Sequence, residues 1–234
     1  MGKIWFIRHG QASFGTQEYD ALSGTGFRQA QAVGEFMAAT GQVFDAVYSG
    51  SLKRQLDTAA QAMAVSPASF QSHEPVILPE FNEYDFVSIS KGLLPVIIAG
   101  DPAVREKSRR FFSDDTVFVE LFSRIFIQWL SGYHDVPGIE TFVQYRTRIL
   151  SGVETVISQT CPEAHVAVFT SGGVIATLLQ HVLGLSQKTT METGWQILNA
   201  SMTCFDITKG YPVLSSFNTT AHLELVGQDL LTFR

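Results

Sequence analysis

The chain has 234 residues, and 16 Lys+Arg against 22 Asp+Glu leave a formal charge of −6. Charged residues are 16% and hydrophobic ones 45%, where an ordinary soluble domain has about 25% charged; that balance excludes a disordered chain. The absence of a Lys/Arg run to displace counterions argues against a nucleic-acid binder. A chain this long buries about 70–75% of its unfolded surface, enough for a core without staples.

In chain order, Lys3–Ile7 is short, apolar and β-rich and breaks at Gly10; after a polar loop, Gly26–Ala39 reads as a helix. Phe44–Tyr48 is a second strand candidate, interrupted by Ser49-Gly50-Ser51, and Leu52–Ala64 has helical composition, with Ser51 placed to cap it. From about Val87 to Val136 the rhythm changes. There Phe118, Leu121, Phe122, Ile125, Phe126, Trp129 and Leu130 recur at i, i+3, i+4, i+7 spacing, one wide apolar helical face. Core packing explains that face, as would a subunit interface or a cap over a pocket. His165–Thr170 is a third strand, broken by Ser171-Gly172-Gly173 and followed by a helix over Val174–Leu183 that Gly184 closes. Met202–Ile207 and Val213–Phe217 read as a hairpin around Lys209-Gly210. Alternating strands and helices predict an α/β fold, a three-layer sandwich with a mostly parallel central sheet, helices on both faces and a helical insertion. With no Pro/Gly/Ser linker and no repeat, residues 1–234 read as one domain carrying the insertion at about 87–136.

Cys161 and Cys204 lack metal-ligand spacing and read as free, buried thiols of a reducing compartment. His73, His134 and His181 show no paired metal-ligand spacing either, and His181, mid-helix, reads as packed. The N-terminus lacks a secretory apolar run, Phe6 stands where a myristoylation signal wants Ser or Thr, and no apolar stretch reaches about 18 residues. The expectation is a cytoplasmic protein without membrane or nucleic-acid partners, and without a metal or other cofactor.

Three strand candidates end in a small-residue break followed by a helix. In parallel α/β sheets ligands bind at such carboxyl ends, where helix N-termini present unpaired N–H groups to anions. Arg8-His9-Gly10, Ser49 to Arg54, and Ser171 to Gly173 occupy these breaks. An Arg beside a His at a strand end suits a phosphate: the guanidinium grips two oxygens, and a neutral imidazole offers one nitrogen as nucleophile while a backbone carbonyl holds the other N–H.

Trp5-Phe6-Ile7-Arg8-His9-Gly10-Gln11, followed by Leu22-Ser23 through Gly26 to Gln29-Ala30, resembles the opening of the histidine phosphatase (phosphoglycerate mutase-like) superfamily. Ser49-Gly50-Ser51-Leu52-Lys53-Arg54 with Thr58-Ala59 resembles the family's S-x-L-x-R-A-x-x-T-A block, with Gln55 in place of the usual Ala; Gly138-Ile139-Glu140-Thr141 with Arg146 resembles its G-E-S…R helix start. The likeness spans roughly residues 1–86 and 137–184. It implies a phosphohistidine mechanism: His9 attacks phosphorus, Arg8 and Arg54 hold the phosphoryl oxygens, and a carboxylic acid protonates the leaving group. The acid is Glu83 by its fit to the family's pattern in Phe81-Asn82-Glu83-Tyr84-Asp85-Phe86, with Glu80 next. Gln11 and Ser13 are expected at the substrate, and Ser171 and Gly172 at the phosphate.

One departure from the pattern matters for the chemistry. Where the family has V-V-S-H-G-G, this chain has Val168-Phe169-Thr170-Ser171-Gly172-Gly173, so Ser171 replaces a second histidine. A hydroxyl still donates a hydrogen bond but brings no charge, a change worth about 2–4 kcal/mol of transition-state stabilisation. His165 falls at the wrong sheet edge to substitute, and His222 in the tail reads as structural. The sequence therefore predicts a metal-independent phosphomonoester phosphatase acting on a phosphorylated small molecule or phosphoprotein. The alternatives are a phosphoglycerate-type mutase, disfavoured by Gly15 where the mutases have Asn, and a non-catalytic phospholigand binder, motivated by Ser171. Lys91, Arg105, Lys107, Arg109, Arg110 and Arg124 in the insertion are candidates for a second anionic group or a solvated helix edge, and the apolar face there makes a homodimer plausible.

Overall fold

A computed structural model of the chain describes residues 2–13, 20–72, 74–111, 113–132 and 136–233; Gly15, His73 and His134 lie outside them. The elements run β1 (Lys3–Arg8), α1 (Gly24–Thr40), β2 (Ala46–Ser49), α2 (Lys53–Val65), β3 (Val76–Ile77), α3 (Phe86–Gly100), α4 (Ala103–Ser108), α5 (Asp115–Ser131), α6 (Phe142–Gln159), β4 (His165–Thr170), α7 (Gly172–Leu183), α8 (Gln187–Gln196), β5 (Met202–Thr208), β6 (Tyr211–Thr219) and α9 (Ala221–Glu224). The strands form one six-stranded sheet in the order β3-β2-β4-β1-β5-β6. β1, β2, β3 and β4 pair in parallel, and β5 and β6 continue the sheet antiparallel.

Alternation along the strands builds the three layers, because successive strand side chains point to opposite faces. Ile4, Phe6, Val166 and Val168 enter one core with residues of α3, α5, α6 and α7, whereas Ile7, Ala167 and Phe169 enter the other with α1, α2 and α9. Buried on both sides, β1 and β4 read as nearly unbroken apolar runs. Parallel pairing of β1 with β4 aligns Arg8 with Thr170, and His9 N–H then donates to the Thr170 carbonyl at 2.8 Å. The chain thus leaves both strands at the same sheet edge, with His9 beside Ser171.

The wide apolar face of the 87–136 segment is the stripe of α5. Leu121, Ile125, Phe126, Trp129 and Leu130 are buried in the first core, and Phe122 stacks on Phe126 and meets the tilted rings of Phe86 of α3 and Trp195 of α8. Intramolecular packing occupies most of the surface that suggested a homodimer. Four of the segment's cations are paired on its helices, Lys107 with Glu120, Arg109 with Glu106, Arg110 with Asp114 and Arg124 with Asp101.

Three local expectations need correction. Ser51 does not cap α2: Leu52 is the N-cap, Gln55 Oε1 accepts from its N–H at 3.2 Å, and Ser51 is bound at both its N–H and its hydroxyl by the Asn82 side chain. Cys161 is exposed and only Cys204 is buried, because the former sits in the turn after α6 and the latter on a central strand; burial pushes the Cys204 thiol up to about 11. His181 lies exposed near the end of α7 and meets Arg146 at 3.1 Å. Among the described residues no helix is long and apolar enough to cross a membrane.

Candidate active site

The carboxyl ends of β1, β2 and β4 converge, and each delivers one set of polar groups. From β1 come Arg8 and His9. His9 is 6% exposed; its Nδ1 lies 2.7 Å from the carbonyl of Gly10, which can only accept, so that nitrogen carries the proton. Nε2 therefore holds the lone pair and accepts from Arg54 Nε at 3.0 Å. Burial, then Arg54 and Arg8, hold the imidazole well below its ordinary pKa against the smaller pull of the Gly10 carbonyl. The ring is thus neutral, with its unprotonated nitrogen turned to a cation. Gly10 N–H donates to Thr58 Oγ1 at 3.0 Å, which fastens the loop after β1 to α2.

The β2 end leads into α2, whose first turn carries Arg54. Besides His9, its guanidinium reaches Asp20 at 2.5 Å, and Asp20 also accepts from the Lys53 N–H at 2.7 Å. Arg8 donates to the carbonyl of Ile197, and to that of Phe233 at 3.0 Å. An ideal Cβ on Gly172 would sit 3.6 Å from Arg8 Nε, so the Arg8 guanidinium runs along the start of α7.

That start, at the β4 end, also receives the acid. Glu83 Oε2 accepts from Gly173 N–H at 3.0 Å, and Oε1 from the Tyr145 hydroxyl at 2.9 Å. Gly173 must be glycine for this contact, since a Cβ there would fall 2.1 Å from Glu83 Oε1 and 2.6 Å from the Tyr84 ring. Burial and Glu83 raise the Tyr145 phenol well above its ordinary value, so it stays a donor. Glu80, the other carboxylate candidate, packs its Cβ against Gly152 of α6 instead.

A clamp beneath holds the acid loop. Arg148 pairs with Glu140 through two contacts of 2.6 and 3.1 Å, donates to the carbonyls of Glu80 and Asn82 at 2.7 and 2.9 Å, and lies 4.5 Å from the Tyr145 ring centre. Glu140 is thus held by Arg148, whereas Arg146 of the same helix is exposed. Ile149 and Val153 face the core on this side of α6, and helical spacing puts Arg148 beside that stripe. Asp20, Tyr145 and Arg148 were not singled out from sequence; the spacing of Tyr145 and Arg148 along the apolar stripe is the signal for the last two, and Asp20 has none.

The structure gathers His9, Arg8, Arg54, Glu83, Ser171 and Gly172 at one sheet edge. Gln11 and Ser13 fall nearby in a different setting. Gln11 binds Ser23 Oγ through its side-chain oxygen at 2.8 Å and Gln29 Oε1 through its N–H at 2.7 Å, which anchors the loop to α1. Ser13 N–H donates to the Ala21 carbonyl. His165 stands at the far end of β4, facing Gln42, and His222 is buried with Nε2 on the Ala200 carbonyl at 2.9 Å.

Such an assembly offers a desolvated imidazole lone pair, two guanidinium groups, a helix N-terminus and a carboxyl group around one space, which suits transfer of a tetrahedral anion to nitrogen. The model of the histidine phosphatase superfamily (branch 1) matches residues 4–125 and 118–220. Among solved structures, a phosphoserine phosphatase of Entamoeba histolytica in complex with 3-phosphoglyceric acid is 23% identical, aligned over 95% of this chain and 100% of its own, with a TM-score of 0.64. A Shigella flexneri α-ribazole phosphatase is 19% identical over 93% and 96%, TM-score 0.58, and a mycobacterial glucosyl-3-phosphoglycerate phosphatase 19% over 94% and 99%, TM-score 0.59. These likenesses give the fold; no curated protein matches the chain.

Proposed function

Since the chain belongs to the histidine phosphatase superfamily (branch 1), we propose that it is a phosphomonoester phosphatase working through phospho-His9, without a metal. The carrying observation is the imidazole itself: its Nδ1 proton sits on the Gly10 carbonyl and its Nε2 lone pair faces Arg54, so the nucleophile is aimed and unprotonated before substrate arrives. When a phosphate monoester enters, Arg54 moves its hydrogen bonds from His9 and Asp20 to phosphoryl oxygens, and Arg8 and the Gly172 N–H at the start of α7 take the others. Nε2 attacks phosphorus in line, the P–O ester bond breaks, and the leaving oxygen takes its proton from Glu83. Water then attacks the phosphohistidine, gives its proton to Glu83, and phosphate leaves with His9 restored. The cations and N–H dipoles act where charge redistributes, and preorganised groups so placed are worth several kcal/mol.

The phosphatase neighbours of known structure support hydrolysis over phosphoryl return to substrate. The test is turnover of p-nitrophenyl phosphate by the purified protein and by His9→Ala, with acid-labile phosphate trapped on the protein by rapid quench. The expected result is turnover and trapped phosphate in the parent and neither in the variant. Undiminished turnover in His9→Ala would remove the phosphohistidine; vanadate binding with no turnover in the parent would make the protein a phospholigand binder.

A further inference from the structure

Ser171 occupies the N-cap of α7, a position where serine ordinarily accepts a hydrogen bond from its own helix. Here its side chain makes no such bond; the Gly173 N–H it would take is held by Glu83. Ser171 is fully buried, and its Oγ lies 2.9 Å from Nε2 of Gln55, the residue after Arg54. Both Ser171 and Gln55 stand where the family's motifs have another residue, and the fold puts them in contact.

The orientation of the Gln55 amide follows from its other partners. Nε2 also donates to the Phe81 carbonyl at 3.0 Å, and Oε1 accepts from the Leu52 N–H at 3.2 Å. A carbonyl can face only the NH2 end and an N–H only the oxygen end, so the amide cannot flip. Gln55 therefore presents a donor to Ser171 Oγ and no acceptor. The serine hydroxyl must accept there and direct its own proton elsewhere, and Gln55 is its only partner among the described residues. The room for this amide is built in: a Cβ on Gly50 would fall 2.0 Å from Gln55 Oε1.

We propose that Gln55 is a positioning residue that fixes the Ser171 hydroxyl as an uncharged hydrogen-bond donor to the phosphoryl group held by His9, Arg8 and Arg54. The couple supplies direction where a histidine would supply charge, and it ties the arginine-bearing helix to the acid loop through Phe81, whose carbonyl also accepts from Thr170 Oγ1 at 2.8 Å. This inference rests on the phosphatase reading.

A double-mutant cycle tests it, with orthovanadate affinity by calorimetry and kcat and KM on p-nitrophenyl phosphate as readouts. Ser171→Ala is expected to lose about ten- to a hundred-fold in vanadate affinity, the usual worth of a hydrogen bond to a charged group. Gln55→Met keeps the volume and leaves the Phe81 carbonyl its Thr170 donor. It should lose a smaller factor, and in the Ser171→Ala background it should cost less than two-fold. Gln55→Glu, which can only accept at Ser171, should bind vanadate more weakly than Gln55→Met. Independent, multiplicative losses in the double variant would mean a merely structural glutamine and overturn the proposal. If Gln55→Met fails to fold, the exchange variant decides. Ser171→His alone overpacks against the amide, whereas Ser171→His with Gln55→Ala should regain turnover, and equal activity of the two would overturn the coupling. A parent protein that neither binds vanadate nor turns over would defeat the phosphatase reading and this inference with it; a parent that does both, with multiplicative losses in the double variant, defeats this inference alone.

Discussion

The resting site satisfies its charges internally. Asp20 holds one edge of the Arg54 guanidinium and His9 another, so an incoming phosphate must displace a carboxylate as well as water. Removing that competitor should help binding and removing the cation should hurt it. Arg54→Ala is expected to weaken inorganic phosphate by about ten-fold or more, in line with the loss of a charge-assisted bond, with the far-UV spectrum unchanged. Asp20→Asn is expected to tighten phosphate a few-fold. Equal affinity of Arg54→Ala and the parent would take Arg54 out of the anion site.

At the scale of elements, the acid loop owes its position to α6 more than to its own residues. Arg148 saturates the carbonyls that precede Glu83, and Tyr145 fixes the carboxylate, so one face of one helix holds the general acid in place. Arg148→Met keeps the aliphatic stem and removes the clamp. It should lower kcat by about ten-fold with little change in vanadate affinity, because the anion is gripped by other elements; a matching loss in vanadate affinity would show that the clamp shapes the whole pocket. In the helical segment, Leu121 is fully buried in the main core, and its helix α5 packs against α3 and α8. Leu121→Ala should cost about 2–5 kcal/mol in urea unfolding, and a loss below about 1 kcal/mol would mean that α5 is not anchored in the main core.

For the molecule as a whole, two buried imidazoles set a lower pH limit. His9 is held well below its ordinary pKa, and burial brings His222 down to about 4. The unfolded chain takes up these protons below about pH 6.5 while the folded chain resists, so the unfolded state binds more protons and stability falls as pH drops from about 6.5 toward 4. The His222 share approaches about 3 kcal/mol at the bottom of that window. His222→Gln, which keeps a donor for the Ala200 carbonyl, should narrow the difference between Tm at pH 7 and at pH 4.5; an undiminished difference would mean that other groups carry the acid sensitivity.

Five of the six strands, the helices α1, α2 and α7 that follow the strand-end breaks, and the breaks themselves were legible in the sequence, because apolar runs ended by glycine or serine and followed by a 3.6-residue period are written locally. His165–Thr170 and the turn at Lys209-Gly210 needed nothing beyond their own residues and neighbours. The roles of Ser51, Cys161 and His181 were misread, since each depended on which distant segment lies across from it: Asn82 for Ser51, an exposed turn for Cys161, the α6–α7 surface for His181. Asp20 at Arg54, Arg148 under the acid loop and Gln55 against Ser171 were decided only by tertiary structure. Local sequence determines where the backbone turns and which face is apolar; which hydrogen-bonding groups meet across tens of residues is set by strand register and helix rotation, and these emerge only when the layers pack.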